Sequence, residues 1–259
     1  MLHMCPNILK REFHALLGAL RFFTRIPVPE RIPHSEALLN DAARYFPAIG
    51  LIVGAASAAV FAIAHLVLPQ SVSVLIAMSA SIYLTGAFHE DGLSDMTDGL
   101  GGGWDKQRIL DIMKDSRVGS YGVVAITMVL AIKFFCLAEV SSAWVPALLI
   151  TGHAFSRFCA VLIMAGLHYV REDALSKSKP LAKQLTGTAL VVAAFFGLLP
   201  LLWLPLDAMI TGAVCALLIT VWLGRKLQKW LGGYTGDCLG ATQQLSEVAF
   251  YLGVLAALN

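Results

Sequence analysis

The sequence predicts an all-α, polytopic helical membrane protein of about seven transmembrane helices, with an N-terminal amphipathic helix before them and the N-terminus cytoplasmic. Three observations carry that class. Of 259 residues, 58% are hydrophobic and only 14% charged, where soluble domains carry roughly 25% charged residues; mean hydropathy is +0.73. Apolar runs of about 20 residues, long enough as helices to cross a ~30 Å hydrocarbon layer, recur along the chain. Of the 19 Lys and Arg, all but Lys133 and Arg157 fall in segments that one alternating topology places on a single side, as the positive-inside rule requires.

The elements follow in order. Leu9, Phe13, Leu16, Leu17 and Leu20 form a helical apolar stripe among Lys10, Arg11, Arg21 and Arg25, which suits a helix in the membrane interface or one packed on the bundle. Spans are expected at about 48–69, 72–88, 119–139, 143–166, 187–206, 208–224 and 238–258. Cytoplasmic segments then hold Lys10 to Arg44, Lys106 to Arg117, Arg171 to Lys183 and Arg225 to Lys229. The outer connections "LPQSV", "AEVSS" and "LPLDA" are too short to house a site. One integral membrane domain covers 1–259, with a cytoplasmic or interfacial segment at 1–47 and a cytoplasmic Asp-rich loop at 89–118. Cys5, Cys136, Cys159, Cys215 and Cys238 are scattered without CxxC spacing, which argues against a disulfide framework or a zinc site. No signal-peptide order opens the chain.

The loop at 89–118 is where so apolar a chain concentrates its acids. Asp91, Asp95 and Asp98 are spaced i, i+4, i+7, one face of a helix. Asp111 and Asp115 repeat the i, i+4 spacing beyond the glycine-rich "GLGGGW". If the second span continues into this stretch, its carboxylates crowd a helix C-terminus, where the dipole favours cations. A divalent ion answers that charge best, and oxygen-only ligands point to Mg²⁺ or Mn²⁺; a solvated acidic loop is the plain alternative. Mg²⁺ beside Lys114 and Arg117 suggests diphosphate chemistry, with Arg117 able to grip phosphate through two parallel hydrogen bonds.

Two further stretches are polar where apolar residues are expected. His153 and Arg157 are i, i+4 inside the fourth span; a buried Arg needs a partner, with Glu247 the first candidate and Asp95 or Asp98 others, whereas Lys133 stands alone. In "GGYTGDCLGATQQLSE", residues Asp237, Thr242, Gln243, Gln244 and Glu247 enter the last span behind Tyr234 and Thr235. Such an N-terminus can bind an anion, although capping by Thr235 or Asp237 accounts for part of it.

Six segments together resemble the cobalamin synthase family (adenosylcobinamide-GDP ribazoletransferase, cobalamin 5′-phosphate synthase): "FFTRIPVP" (22–29), "RYFPAIGLIVG" (44–54), "HEDGLSDMTDG" (89–99), "DSRVGSYG" (115–122), "GHAFSR" (152–157) and "GYTGDCLGA" (233–241). The HxDGxxDxxDG element with its later DSRxGxxG is the specific part. Position 90 departs, being Glu where the family pattern has an apolar residue, usually Leu. The resemblance implies a Mg²⁺-dependent transferase of the bacterial inner membrane, its active site facing the cytoplasm. It joins adenosylcobinamide-GDP to α-ribazole or its 5′-phosphate, giving adenosylcobalamin or its 5′-phosphate plus GMP, with the ribazole 5′-hydroxyl attacking the phosphorus nearer cobinamide. Partners are these small molecules, membrane lipid and, by extension, other cobalamin-assembly enzymes; nucleic acid is not among them. The residues expected to act are Asp91, Asp95, Asp98, Asp111 and Asp115 on metal, His89 or one carboxylate as base, and Arg117 and Arg157 on phosphate. Lys114, Ser116, Gly119, His153, Thr235 and Asp237 complete the expected substrate contacts.

Rival classes differ in signature. Intramembrane prenyltransferases and CDP-alcohol phosphotransferases also combine Asp-rich motifs with Mg²⁺, but the chain has neither an NDxxD pair nor a DGxxAR run. An ion-coupled transporter could use Lys133, Arg157 and Glu247 as a relay, yet would place its acids near mid-bilayer.

Overall fold

The computed structural model describes residues 6–29, 32, 36–170 and 185–259; Cys5, Arg31, Arg171, Lys177, Lys179 and Lys183 lie outside the described residues. Among those described, every regular element is helical. They are α1 (Pro6–Phe23), α2 (Glu36–Ala42), α3 (Phe46–His65), α4 (Gln70–Thr85), α5 (Phe88–Gly102), α6 (Lys106–Ile112), α7 (Ser120–Glu139), α8 (Val145–Gly166), α9 (Gly187–Leu198), α10 (Leu206–Leu231) and α11 (Gly236–Leu258). A lone parallel bridge pairs Tyr169 with Tyr234.

The all-helical class matches the sequence expectation, while the span count comes out coarser. Four helices are long and apolar enough to cross a membrane (Leu38–His65, Ser120–Glu139, Val145–Gly166 and Leu206–Leu231), or five if α4 and α5 form one bent span. The difference from seven has physical causes. α9 is a short apolar helix that passes into a 3₁₀ turn at Leu199, one residue before Pro200, and α11 spends its first turns on Asp237, Gln243, Gln244 and Glu247.

α8 is the core of the bundle. Every residue from Thr151 to Val161 is buried, and α3, α9, α10 and α11 all pack against it. Gly50 and Gly54 of α3 explain how closely one neighbour approaches. A Cβ on Gly50 would overlap the His153 carbonyl, and one on Gly54 would lie 2.6 Å from the Ile150 Cα. This small-xxx-small face lets two backbones touch, the usual basis of helix association without a hydrophobic drive. It also fixes the part of α8 that carries His153 and Arg157.

The second span does not run on into the Asp-rich stretch. α4 ends at Gly86 (φ 69°) and Ala87 (φ 58°), both left-handed, and α5 leaves at 85° to α4. Glycine takes that conformation freely and alanine only at a cost. Arg25 braces the break: its N–H donates to the Leu84 carbonyl at 2.8 Å, and its guanidinium lies 5.1 Å from the Tyr83 ring centre. Glu90 and Asp91 therefore occupy the first turn of α5, where the dipole favours carboxylates. This reverses the expected charge crowding.

α1 docks its C-terminal end at the same break. Phe23 is buried, stacks on His89 at 5.7 Å and 13°, and meets Phe46 edge-on at 4.4 Å. The inward face of α1 is Ala15, Ala19 and Phe23, while Leu9 and Phe13 remain 57% and 58% exposed. Arg11 grips Asp41 through two bonds of 2.7 and 2.9 Å, and Arg44 bridges Asp41 and Glu12, so ion pairs join α1 to α2.

The Gly50 contact yields a test. Gly50→Leu forces a side chain into the His153 backbone, and such overpacking costs about 1–3 kcal/mol. Thermal unfolding in detergent should show a lowered midpoint, and substitution at exposed Val67 should not.

Candidate active site

Among the described residues, two cavities flank α5. The first is narrow, about 20 Å³, and is lined by Phe22, Phe23, Phe46, Phe88, His89, Arg157, Gly236, Leu239, Gly240 and Gln243 among others. Five of the six segments quoted above contribute to it. The second is an open cleft of about 320 Å³ between the far end of α5, α6 and the start of α7. Asp98, Asp111 and Asp115 line it with Arg108, Arg117, Gly119 and Tyr121. From His89 to Asp98 the helix rises about 14 Å, with Asp91 and Asp95 between.

α5 reaches its position by backbone contact. A Cβ on Gly92 would lie 3.0 Å from the Asp237 Cα, and one on Gly240 would lie 3.1 Å from the His89 carbonyl. The crossing sets His89 against the first turns of α11. Thr235 caps that helix by accepting from Cys238 N at 3.4 Å, and the Tyr234 N–H donates to the His168 carbonyl at 2.8 Å. Thr235 is thus fully buried in a cap, while Asp237 stays partly exposed in the first turn.

Asp98 has a structural task that its spacing did not announce. Its Oδ2 accepts from Gly119 N at 2.7 Å and its Oδ1 from Gly122 N at 2.9 Å, so it caps α7 from another helix. Side chains at 119 or 122 would collide with the carboxylate, which is why both positions of "GSYG" are glycine. Gly119, expected among substrate contacts, is seen here as a donor to Asp98.

The second carboxylate ridge is not a ridge. α6 ends at Ile112, with Asp115 beyond it in a turn. Asp115 accepts from Arg117 N at 3.1 Å, from Nε at 3.0 Å and from Nη2 at 2.5 Å. That guanidinium holds the Asp115 carboxyl down at about 2. A depressed carboxyl stabilises above its unfolded value and loses that contribution as pH falls through its folded value. Asp111 accepts from Gln107 at 2.9 Å. Lys114 and Ser116 are exposed in the same turn.

Magnesium can be weighed against these positions. Among the described residues no three His, Cys, Asp or Glu side chains converge to hold a metal ion. The donor chemistry nonetheless suits Mg²⁺, which takes one or two carboxylates and completes its shell with substrate phosphates and water. Asp91 is exposed and Asp95 half-buried, between the two cavities.

Behind the narrow cavity lies a buried polar network. Glu247, fully buried, takes Lys133 at 2.7 Å, Tyr251 Oη at 2.9 Å and Gln243 Nε2 at 2.7 Å. Gln243 also donates to Ser156 and accepts from Gln244, which donates to Glu90 at 2.9 Å. Arg157 is outside this set. It donates to the His153 carbonyl at 2.9 Å and faces His153 Nδ1 at 3.3 Å. Because a guanidinium only donates, Nδ1 accepts and the ring proton sits on Nε2. Arg157 Nε and His153 Nε2 are both buried without a partner, as is Glu90 Oε2. The expected Arg157–Glu247 pair is corrected: Glu247 pairs with Lys133, and Lys133 does not stand alone. Two opposite intramembrane charges, each in need of a partner, were the sequence signal for that pair.

Apolar helices, four or five of them long enough to cross a membrane, around a buried polar interior define the class of helical membrane protein. The chain belongs to the cobalamin-5-phosphate synthase family, whose model matches residues 15–255. It is 44% identical over 249 residues to an adenosylcobinamide-GDP ribazoletransferase of Shewanella frigidimarina, covering 95% of each chain. A Vibrio cholerae protein of that name is 44% identical over 258 residues, covering 97% of each. One from Ralstonia pickettii is 42% identical, covering 96% of this chain and 98% of its own. No solved structure matches the chain.

A stability test separates the two kinds of aspartate. Asp98→Asn removes an acceptor from the α7 cap, a loss of about 1–2 kcal/mol, and should lower the unfolding midpoint. Asp91→Asn, on an exposed side chain with only the helix dipole to lose, should lower the midpoint much less.

Proposed function

We propose that the protein joins adenosylcobinamide-GDP to α-ribazole or α-ribazole 5′-phosphate, releasing GMP, in the final assembly of cobalamin. The observation that carries this is the match to the family over nearly the whole chain. Five of the six matching segments line one cavity, which Arg157 also lines with its Nε unpartnered. A ribose hydroxyl of ribazole attacks the phosphorus nearer cobinamide, an O–P bond forms, and the bridging P–O bond breaks so that GMP leaves with the bridging oxygen. That hydroxyl is not the 5′ one expected above, because the 5′-phosphate form is also an acceptor and keeps its phosphate in the product.

His89, held by Phe23 at the cavity wall, or a neighbouring carboxylate takes the hydroxyl proton. Arg157 at one end of α5 and Arg117 at the other hold phosphate oxygens. Mg²⁺ would be held by Asp91 and Asp95, with Asp98, Asp111 and Asp115 nearby, and would neutralise the diphosphate and the leaving GMP. His153 supplies its Nε2–H, Lys114, Ser116 and Asp237 border the substrate path, and Thr235 holds the start of α11 through its cap.

The same reading extends to topology. Seven crossings, made by α3, α4 and α7 to α11, keep the N-terminus and the described basic clusters in the cytoplasm of a bacterial inner membrane. α1 lies in the interface, with Leu9 and Phe13 outward beside Lys10 and Arg11. The cytoplasmic face is then free to meet enzymes that make the substrates.

The test uses purified protein in detergent with adenosylcobinamide-GDP and α-ribazole. GMP and cobalamin should appear in equal amounts and only with Mg²⁺. Asp91→Asn and Asp95→Asn should lower kcat about 10²-fold. Wild-type turnover in both would remove them from the chemistry, and no GMP with either ribazole form would overturn the assignment.

A further inference from the structure

Lys133 and Glu247 touch neither cavity, yet they form a fully buried ion pair across the bundle, 2.7 Å apart. One cation and one anion suffice for each other, which leaves Arg157, only 2% exposed, with no carboxylate in ion-pair contact among the described residues; Glu247 and Glu90 act on it only from a distance. A buried guanidinium in that condition is costly unless something anionic completes it.

We propose that Lys133 and Glu247 are positioning residues for Arg157: Lys133 occupies the carboxylate so that the neighbouring guanidinium keeps its charge for a substrate oxyanion. The proposal rests on the reading that Arg157 holds a substrate phosphate. Three features make the occupation complete. Glu247 Oε1 accepts from Lys133 and Tyr251, and Oε2 accepts from Gln243. His153 Nδ1 lies 3.6 Å from Oε1 but accepts from Arg157, so it stands between the carboxylate and the guanidinium without linking them. Arg157 lines the narrow cavity with His89 and Gln243, and its Nε and the His153 Nε2 are two unpartnered N–H donors. Glu247 interacts electrostatically with His153, Lys133 and Arg157, and of these only Lys133 and Arg157 carry a standing positive charge at neutral pH. When Lys133 loses its charge, Arg157 is the one left, and it is drawn off the cavity.

The experiment is a double-variant cycle read as KM for adenosylcobinamide-GDP on folded, purified enzyme. Lys133→Met should raise KM on the order of tenfold with a smaller change in kcat, the signature of lost binding. Lys133→Arg should restore KM. Lys133→Met combined with Glu247→Gln should also bring KM back to within about threefold of wild type, because a neutral amide cannot recruit Arg157. A purely structural ion pair predicts otherwise: lower thermal stability and yield, with KM of the folded fraction unmoved. That result, or a double variant no better than Lys133→Met, overturns the proposal. If Lys133→Met does not fold, Lys133→Gln keeps a hydrogen bond to Glu247 while removing the charge, and the same two outcomes apply. Arg157→Met separates the layers. A wild-type KM there removes the underlying reading, whereas a raised KM beside an unmoved Lys133→Met removes only the positioning role.

Discussion

The Lys133–Glu247 ion pair links α7 to α11 with both side chains buried, and much of the interior is arranged around it. Glu247 holds Gln243, Gln243 holds Ser156 of α8 and Gln244, and Gln244 reaches Glu90 at the start of α5. Four helices are therefore tied by one run of hydrogen bonds. By formal charge the buried ions in this run are one cation, Lys133, and two anions, Glu90 and Glu247, with Arg157 beside it as a second cation. The set is neutral as a whole but uneven in its contacts, since Lys133 is matched and Arg157 is not. Neutrality keeps the interior affordable in a low dielectric; the unevenness gives it a ligand-facing charge.

Side chains can be placed that finely only if the backbones are fixed first, and close helix contacts do this. Gly50 and Gly54 let α3 lie directly on the turns of α8 that carry His153 and Arg157, and Gly92 and Gly240 let α5 cross α11. The break at Gly86 and Ala87 then aims α5 across the bundle instead of along it. A straight continuation of α4 would have put Asp91 to Asp98 at a negative helix end. The break gives Glu90 and Asp91 a positive one, and Asp98 is free to cap α7.

The sequence made the class, the polar interruptions and the acidic segment legible, because composition, charge sides and i, i+4 spacing are local properties. It did not reveal which charge meets which. Arg157 and Glu247 were each recognisable as buried ions, but partner choice depends on helix rotation, which hydropathy does not encode. The helix break was hidden for a similar reason. Gly86 stands among apolar residues, and an alanine in left-handed conformation at 87 has no sequence signature. The capping task of Asp98 was not legible, because a carboxylate that binds metal and one that caps a distant helix have the same spacing; Gly119 and Gly122 are the hint that a second task exists. The aromatic wall of Phe22, Phe23, Phe46 and Phe88 escaped notice because phenylalanine is unremarkable in an apolar chain.

An apolar bundle is an odd home for a reaction between polar nucleotides until its competitor is considered. The phosphorus that a ribazole hydroxyl must attack is equally open to water, and hydrolysis would release the same GMP without building cobalamin. A transferase gains from excluding water, and the narrow cavity beside Arg157, about 20 Å³ and walled by four phenylalanines, excludes nearly all of it. Exclusion has an electrostatic return as well: an oxyanion beside Arg157 is screened far less there than at an aqueous surface. The same dryness would make an unanswered Glu247 a strong competitor for that guanidinium. A water-poor site therefore needs a second cation to hold the carboxylate, and Lys133 fills that place.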